Sequence, residues 1–278
     1  MDFSKTPIID SNEFEKRYFL TTEYTNFSSN RDCTIFKAFD NTSMIEVFIK
    51  IPNPNGKEVV IGDYEGDFKQ LFNIKHQNVI KLLDVFRVEQ FLNSYLSSYI
   101  PFLVFEYFEG ITLKSLLKHE LKELELKDIF QQIKKGLNYI HSQGWVHRDI
   151  KGENILVSKA DGYFQVKIID IENMGHIGFL PIQLIGTPEF LPPEMSVKSI
   201  LYPSQDYWAY GCLIYETLFG EPPFGTRNFQ LEGIDIIKEY HSRINFTQLD
   251  SKVSKIKNSD FKNSVINSLN PNPIIRTI

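Results

Sequence analysis

The chain has 278 residues, 42% hydrophobic and 23% charged, a composition typical of a globular protein with one large domain or two packed lobes. Its net charge of −5 argues against a broad surface for nucleic acid or anionic membrane, and its two cysteines, Cys33 and Cys212, argue against a disulfide framework or a cysteine metal site. No secretory signal or membrane span is visible in the sequence, so we expect a cytoplasmic protein.

The first third of the chain is predicted to be rich in strands, because aromatic and β-branched residues cluster there. Asp40 and Asn41 are typical of a hairpin turn between two of these strands. The predicted strands cover residues 23–27, 34–39, 44–51, 79–88 and 102–107, and a short helix is predicted over residues 64–73.

After Gly110 the pattern becomes helical. Apolar residues recur at helix spacing over residues 129–140, and this helix is predicted to end near Gly144. Residues 207–219 are apolar on nearly all sides, which predicts a buried central helix that stops at Pro222-Pro223. The sequence therefore predicts a strand-rich part joined near residue 109 to a helical part.

Residues 147–154, HRDIKGEN, place a carboxylate, an ammonium group and an amide at fixed offsets in a loop. Asp149 can accept a proton or orient a nucleophile, and Lys151 can neutralise phosphate charge near the same point. Asn154 offers an amide oxygen, which is a good ligand for a hard metal ion. Such a loop is suited to aligning a hydroxyl group with a nucleotide phosphate.

Two further charged residues stand out against apolar surroundings. Asp170 follows the apolar run at residues 166–169, so its carboxylate is expected at a strand end, where it could hold Mg²⁺ together with Asn154. Lys50 is a lone charge inside the apolar strand at residues 47–51. A lysine in such a strand needs a partner, and either a phosphate or a carboxylate would serve.

In their order and spacing, these landmarks resemble the eukaryotic-type protein kinase domain over nearly all of the chain. The resemblance implies an α+β, bilobal protein kinase-like fold over residues 18–278, with a small β-rich N-lobe to about residue 108, a larger helical C-lobe from about residue 109, and an N-terminal extension at residues 1–17. It also implies ATP and Mg²⁺ as cofactors and a protein substrate. The spacing of Lys151 and the presence of Thr187 resemble serine/threonine kinases more than tyrosine kinases.

The resemblance also implies a role for each matching residue. Asp149 and Lys151 match the catalytic pair, and Asn154 and Asp170 match the metal ligands. Three other matching residues, Glu194, Asp206 and Arg276, are expected to stabilise the C-lobe. The positions that contact the nucleotide, or position the residue that does, are matched by Ser28, Asn30, Cys33, Ile35, Lys50, Asp67, Glu106, Phe108 and Leu156.

The glycine-rich loop of the family has lost its glycines. Ser28, Asn30 and Cys33 occupy the three positions, and each of them adds a side chain where the backbone must close over phosphates. Asp67 occupies the position of the helix glutamate that pairs with the strand lysine, and it is one methylene shorter. Because of the three added side chains, we expect the loop at residues 28–33 to cover ATP only loosely.

Two further departures from the family fall beside the expected nucleotide. Phe48 replaces an alanine that packs on adenine, so its ring either fills the adenine space or is turned aside by a small lobe shift. Asp170-Ile171-Glu172 replaces the family's Asp-Phe-Gly. Glu172 adds a negative charge that could act as an extra metal ligand or repel phosphate.

The expected activation segment has an unusual composition. From Asn173 to Ile185 it contains no Ser, Thr or Tyr, so phosphorylation within this stretch is not expected to switch the protein. Its apolar residues either pack locally against the C-lobe or form an exposed patch that docks a protein partner. These residues are Ile177, Phe179, Leu180, Ile182, Leu184 and Ile185.

The sequence leaves two functions open. The first is an active serine/threonine protein kinase whose activity is weakened by the poor fit around adenine and the phosphates. The second is a pseudokinase, a binding or allosteric module in which Phe48 fills the adenine space. A kinase for small molecules is disfavoured, because residues 186–194 resemble a segment that binds peptide substrates.

Overall fold

A strand-rich part and a helical part are joined at residues 107–110, and the predicted bilobal α+β fold is confirmed. The structure is a computed structural model that describes residues 7–24, 33–52, 68–93, 96–181, 184–196, 199–226 and 234–278. Within these residues, no helix is both long enough and apolar enough to cross a membrane.

The N-lobe contains a sheet of six strands in the order β1-β5-β6-β4-β3-β2. Neighbouring strands run antiparallel, except that β1 joins the edge of β5 in a parallel direction. Their bounds are β1 Ile8–Ile9, β2 Tyr18–Tyr24, β3 Cys33–Asp40, β4 Ile45–Pro52, β5 Leu82–Asn93 and β6 Leu96–Glu106.

Strand β4 is central, and its side chains alternate between the two faces of the sheet. Val47 and Ile49 are buried in the apolar cluster on the outer face. Phe48 belongs to the main core on the opposite face, and Lys50, two residues on, points the same way. This alternation directs Lys50 and Phe48 towards the C-lobe.

The outer face of the sheet is covered by helix α1, which spans Ser11–Arg17. The ring of Phe14 packs edge-on against Phe102, with centroids 5.1 Å apart, and also contacts Phe86 and Tyr18. The described part of the expected N-terminal extension, residues 7–17, therefore packs on the N-lobe sheet.

Arg17 at the end of α1 adds charged contacts to this packing. Its guanidinium lies 2.7 Å from the carboxylate of Asp84 on β5 and 3.3 Å from that of Asp40 on β3. Burial would raise the pKa of Asp40, but hydrogen bonds from Arg17, Thr42 and Ser43 lower it below its ordinary value. The end of α1 is thus joined to two strands of the sheet.

The C-lobe is built mainly from helices, with a small sheet of order β10-β9-β7 and a pair of short strands, β8 and β11. Its helices are α2 Leu113–Leu116, α3 Glu123–Ser142, α4 Pro203–Phe219, α5 Ile234–Ser242, α6 Phe246–Val253 and α7 Ser259–Ser268. Its strands are β7 Ile111–Thr112, β8 Trp145–Val146, β9 Ile155–Ala160, β10 Tyr163–Ile168 and β11 Gly175–His176. Short 3-10 helices cover Phe68–Asn73 in the N-lobe and Gly152–Asn154, Ile171–Asn173, Pro188–Phe190 and Pro273–Ile275 in the C-lobe.

The two long helices agree with the sequence prediction, except that both begin earlier than their predicted apolar runs, at Glu123 and Pro203. The apolar face of α3 is buried, and α4 is buried on most sides, with Cys212 fully enclosed. Helix α4 ends at Phe219, as predicted, and the next residue, Gly220, has a φ of 78° and donates its N–H to the carbonyl of Glu216. Gly220 thus caps the helix before Pro222-Pro223 is reached, because glycine adopts this left-handed turn at low cost.

Candidate active site

A buried carboxylate at the start of α4 holds the loop between β8 and β9 in place. Asp206 accepts hydrogen bonds from the backbone N–H groups of His147, at 2.7 Å, and Arg148, at 2.9 Å, and its carboxylate lies 2.7 Å from Nε2 of His141. Burial would raise the pKa of Asp206, but the hydrogen bond and charge of His141, together with His147, lower it. The backbone entering the loop is therefore held at two successive residues.

His147 has a packing role in the same loop. It is fully buried, and its Nε2 lies 2.7 Å from the carbonyl oxygen of Ile169. Its Nδ1 lies 3.3 Å from the backbone nitrogen of Asp149. His147 thus connects the loop to the strand end that precedes Asp170.

Asp149 lies at the centre of a network of four side chains. Its Oδ1 accepts a hydrogen bond from the hydroxyl of Thr187 at 2.8 Å, and its Oδ2 accepts one from Nδ2 of Asn154 at 2.9 Å. The ammonium group of Lys151 lies 2.8 Å from Oδ2 of Asp149 and donates to Thr187 at 2.8 Å. The structure therefore brings Asp149, Lys151 and Asn154 together, as their spacing predicted.

Thr187, which the sequence indicated as part of the activation segment and as a feature resembling serine/threonine kinases, also lies in this candidate site. It lies between Asp149 and Lys151, and it precedes the 3-10 helix at Pro188–Phe190. Its hydroxyl shows where a hydroxyl group can contact both the carboxylate and the ammonium group. A substrate hydroxyl near this position could give its proton to Asp149 while Lys151 neutralises nearby phosphate charge.

Lys50 extends from β4 towards the C-lobe and meets two carboxylates. Its Nζ lies 2.8 Å from Oδ1 of Asp170 and 2.5 Å from Oε1 of Glu172. Burial would lower the pKa of Lys50, but the charges of Asp170 and Glu172 raise it well above its ordinary value. Glu172, for which the sequence left metal binding and phosphate repulsion open, pairs with Lys50 in the structure.

Asp170 stands where the chain turns after β10. Its backbone is left-handed, with φ 63° and ψ 36°, and the next residue, Ile171, is fully buried in the core. Burial would raise the pKa of Asp170, but the neighbouring Lys50 lowers it. The turn thus directs the carboxylate to the cleft while Ile171 packs behind it.

The residues present fit a magnesium ion that is shared with a nucleotide. Among the described hydrogen bonds, the side chain of Asn154 uses only Nδ2 and the carboxylate of Asp170 uses only Oδ1. One hard oxygen of each side chain is left for a metal. The described residues contain no cluster of three or more His, Cys, Asp or Glu side chains that could hold a metal. Mg²⁺ at this site would therefore take further ligands from phosphate and water, as it commonly does.

The adenine side of the cleft has an aromatic wall. Phe48 is only 7% exposed, and its ring lies 4.9 Å from that of Tyr107, centroid to centroid. Phe48 is among the residues that line the cleft, on the side where adenine is expected. Empty space of about 440 Å³, part of which is open solvent, is lined here by Ile35, Phe48, Lys50, Ile80, Phe105, Leu156, Ile169, Asp170 and Glu172.

Not every residue matched to nucleotide binding lies on this wall. Ile35, Lys50 and Leu156 line the cleft, whereas Cys33, Glu106 and Phe108 do not. The carboxylate of Glu106 instead pairs with Lys167 at 2.6 Å and accepts the backbone N–H of Lys81 at 2.9 Å. Ser28, Asn30 and Asp67 lie outside the described residues.

The activation segment divides into a packed part and an exposed part. Leu184 packs against a small buried cluster that includes Leu191 and Leu201. In contrast, Leu180 is 52% exposed and Ile177 is 36% exposed. Ile182 lies outside the described residues.

The expected ion pair that stabilises the C-lobe is present. Arg276 pairs with Glu194, with Nη2 of Arg276 lying 2.9 Å from Oε2 of Glu194. The guanidinium also lies over the ring of Trp208 in α4, at 4.7 Å from the centroid. This pair joins the end of the chain to the segment that follows Thr187.

Comparison with known proteins gives one family and several relatives. The family described as "Protein kinase domain" matches residues 32–277. The chain is 34% identical over 141 residues to "Serine/threonine-protein kinase CST20" of Candida albicans (strain WO-1), covering 49% of this chain and 11% of that protein. It is 32% identical over 154 residues to "Serine/threonine-protein kinase STE20" of Debaryomyces hansenii, covering 54% of this chain and 13% of that protein. The similarity thus spans a small part of each relative.

Proposed function

Because this chain belongs to the protein kinase domain family, we propose that it is a serine/threonine protein kinase that transfers the γ-phosphoryl group of ATP to a protein hydroxyl. The observation that carries this proposal is the network in which Asp149, Lys151, Asn154 and Thr187 meet at 2.8 or 2.9 Å. The names of the similar curated proteins support serine or threonine as the acceptor.

The C-lobe side of the cleft would carry the proton transfer. Asp149 orients the substrate hydroxyl and accepts its proton as the oxygen forms a bond to the γ-phosphorus. The bond between that phosphorus and the bridging oxygen breaks, and ADP leaves. Lys151 neutralises charge on the transferring group. Mg²⁺, held by Asn154 and Asp170, would neutralise the phosphates.

The N-lobe side would hold the nucleotide. Lys50 would contact the phosphates, while Ile35 and Leu156 would enclose the base from the two lobes. Phe48 narrows the space for adenine, so we expect ATP to bind weakly and the enzyme to work slowly at low ATP concentrations.

The substrate would be a protein, and the exposed apolar residues Ile177 and Leu180 of the activation segment are the proposed contact for a protein partner. A cytoplasmic location is part of the same proposal. A pull-down with wild type and with Leu180→Asp would test this contact, because an aspartate there should weaken capture of a partner without affecting MgATP binding.

The deciding experiment is a phosphoryl-transfer assay with labelled MgATP and generic basic and acidic protein substrates. Wild type should label serine or threonine, and Asp149→Asn should not. Equal incorporation by the two proteins would reject the catalytic role of Asp149. Absence of both transfer and MgATP binding in wild type would instead indicate a pseudokinase.

A further inference from the structure

We infer that Glu172 is the positioning residue for Lys50, a task that a helix glutamate performs in the protein kinase family. This inference rests on the proposed function, because it concerns how Lys50 meets nucleotide phosphates. It starts from the 2.5 Å distance between Oε1 of Glu172 and Nζ of Lys50. Glycine is the family's residue at this position, and it has no side chain that could make this contact.

The division of contacts around Lys50 supports this role. An ammonium group has three N–H donors. Two of them are directed at Asp170 and Glu172, which leaves one for a phosphate oxygen. Asp170 is also a candidate ligand for the metal, whereas Glu172 has only this contact to Lys50 among the described hydrogen bonds. Glu172 can therefore keep its contact with Lys50 when Asp170 turns to a metal.

The burial of Glu172 shows that it is not an incidental surface contact. The residue is 4% exposed, and its second oxygen, Oε2, is buried without a hydrogen-bond partner among the described residues. A carboxylate in such surroundings is unfavourable unless a cation compensates it. Lys50 is that cation, so the two side chains depend on each other for a stable position.

The pair also crosses the cleft. Lys50 belongs to β4 in the N-lobe sheet, and Glu172 belongs to the 3-10 helix at Ile171–Asn173 in the C-lobe. A contact across the cleft fixes the ammonium group relative to Asp170 and the catalytic loop. The position of Lys50 is thus set by the lobe that carries the chemistry.

The test compares Glu172→Gln and Glu172→Asp with Glu221→Gln, which removes a surface carboxylate 2.9 Å from Lys252. Binding of MgATP, MgADP and adenosine is measured by calorimetry, which needs no turnover. Glu172→Gln should weaken MgATP and MgADP binding at least tenfold and leave adenosine binding unchanged, because Lys50 would contact only phosphates. Glu172→Asp should fall in between, and Glu221→Gln should match wild type.

Kinetics with the same variants separate positioning from folding. Glu172→Gln should raise the KM for ATP and leave the KM for the protein substrate unchanged. Equal or tighter MgATP binding by Glu172→Gln would overturn the inference. A loss of adenosine affinity as large as the loss of MgATP affinity would also overturn it, as would a wild type that binds no MgATP. If Glu172→Gln weakens MgATP binding but wild type transfers no phosphoryl group, the proposed function alone is rejected. Transfer that is unaffected by Glu172→Gln would reject the positioning role alone.

Discussion

The two sides of the cleft differ in how their polar groups are arranged. On the C-lobe side, Asp149 and its three neighbours form a network whose members all lie within 38 residues of one another in the chain. On the N-lobe side, Lys50 contacts carboxylates that are 120 and 122 residues away. The groups proposed for phosphoryl transfer are thus held by residues that are close in sequence, whereas the position of Lys50 depends on how the two lobes meet.

This difference separates the groups proposed for phosphoryl transfer from those proposed for nucleotide binding. The loop at residues 147–154 holds the carboxylate, ammonium and amide groups that the proposed chemistry uses, and Asp206 accepts hydrogen bonds from its backbone. The adenine wall has instead gained the ring of Phe48. We therefore expect a bound nucleotide to react through an ordinary catalytic loop, while binding itself is weak.

The largest expected effect is on the catalytic side. Asp149→Asn should lower kcat about 10³-fold, because a positioned general base contributes about 10²–10⁴-fold. Its MgATP affinity should stay within about twofold of wild type, since Asp149 is not among the residues proposed to hold the nucleotide or its metal ion. Steady-state kinetics and calorimetry measure the two quantities. A large loss of MgATP affinity in this variant would show that the two sides are not separable.

Asp206→Asn tests whether the loop depends on its buried support. Because the carboxylate accepts two backbone N–H groups and contacts His141, this change should lower the free energy of unfolding at pH 7 by about 3 kcal/mol, measured by urea denaturation. Asp235→Asn, which alters an exposed side chain, should stay within about 0.5 kcal/mol.

The same residue predicts a dependence on pH. The pKa of Asp206 is lowered in the folded protein, so its contribution to stability is present above its unfolded pKa of about 3.9. That contribution is lost as the pH falls through the folded value. Wild type should therefore lose stability more steeply than Asp206→Asn below about pH 4. Parallel curves for the two proteins would contradict this assignment.

Phe48→Ala sharpens the comparison from the N-lobe side. Removing the ring should strengthen MgATP binding about tenfold, or about 1.4 kcal/mol, because the adenine space is no longer shared. The rise in melting temperature caused by MgATP is measured separately for each variant, so the stability lost through the truncation itself does not enter the comparison. Phe19→Ala is the matched control, because Phe19 is 65% exposed on the N-lobe. An unchanged shift in Phe48→Ala would mean that the ring does not restrict adenine.

The smallest expected effect concerns Thr187. Thr187→Ala removes the hydroxyl that lies between Asp149 and Lys151 and should lower kcat/KM about fivefold, corresponding to about 1 kcal/mol for a hydrogen-bonded hydroxyl. Thr187→Ser keeps the hydroxyl and should retain most of the activity. If Thr187→Ser were as impaired as Thr187→Ala, the methyl group rather than the hydroxyl would matter.

The sequence predicted best what is encoded locally. The spacing within residues 147–154 identified Asp149, Lys151 and Asn154, and the structure places all three in one network. The buried face of α3 also followed from the periodicity of its apolar residues, and the burial of α4 followed from a run that is apolar on nearly all sides. In each case the contacts are set within one loop or one helix.

What the sequence could not predict depends on the path of the backbone. Glu172 meets Lys50 because Asp170 adopts a left-handed turn before the 3-10 helix, and no pattern in the sequence indicates that turn. Strand β1 was missed for a different reason. It consists of only Ile8 and Ile9, which is too short for an alternating pattern to show.

Strand β1 also affects the choice of the residue at which a recombinant fragment of this protein should begin. The carbonyl of Pro7 accepts the N–H of Arg87, so the edge of β5 is occupied by chain that precedes the similarity to known kinases, which starts at residue 32. A recombinant fragment trimmed to that boundary would lack β1, α1 and β2. It would expose unpaired strand edges and an apolar sheet face, both of which promote aggregation.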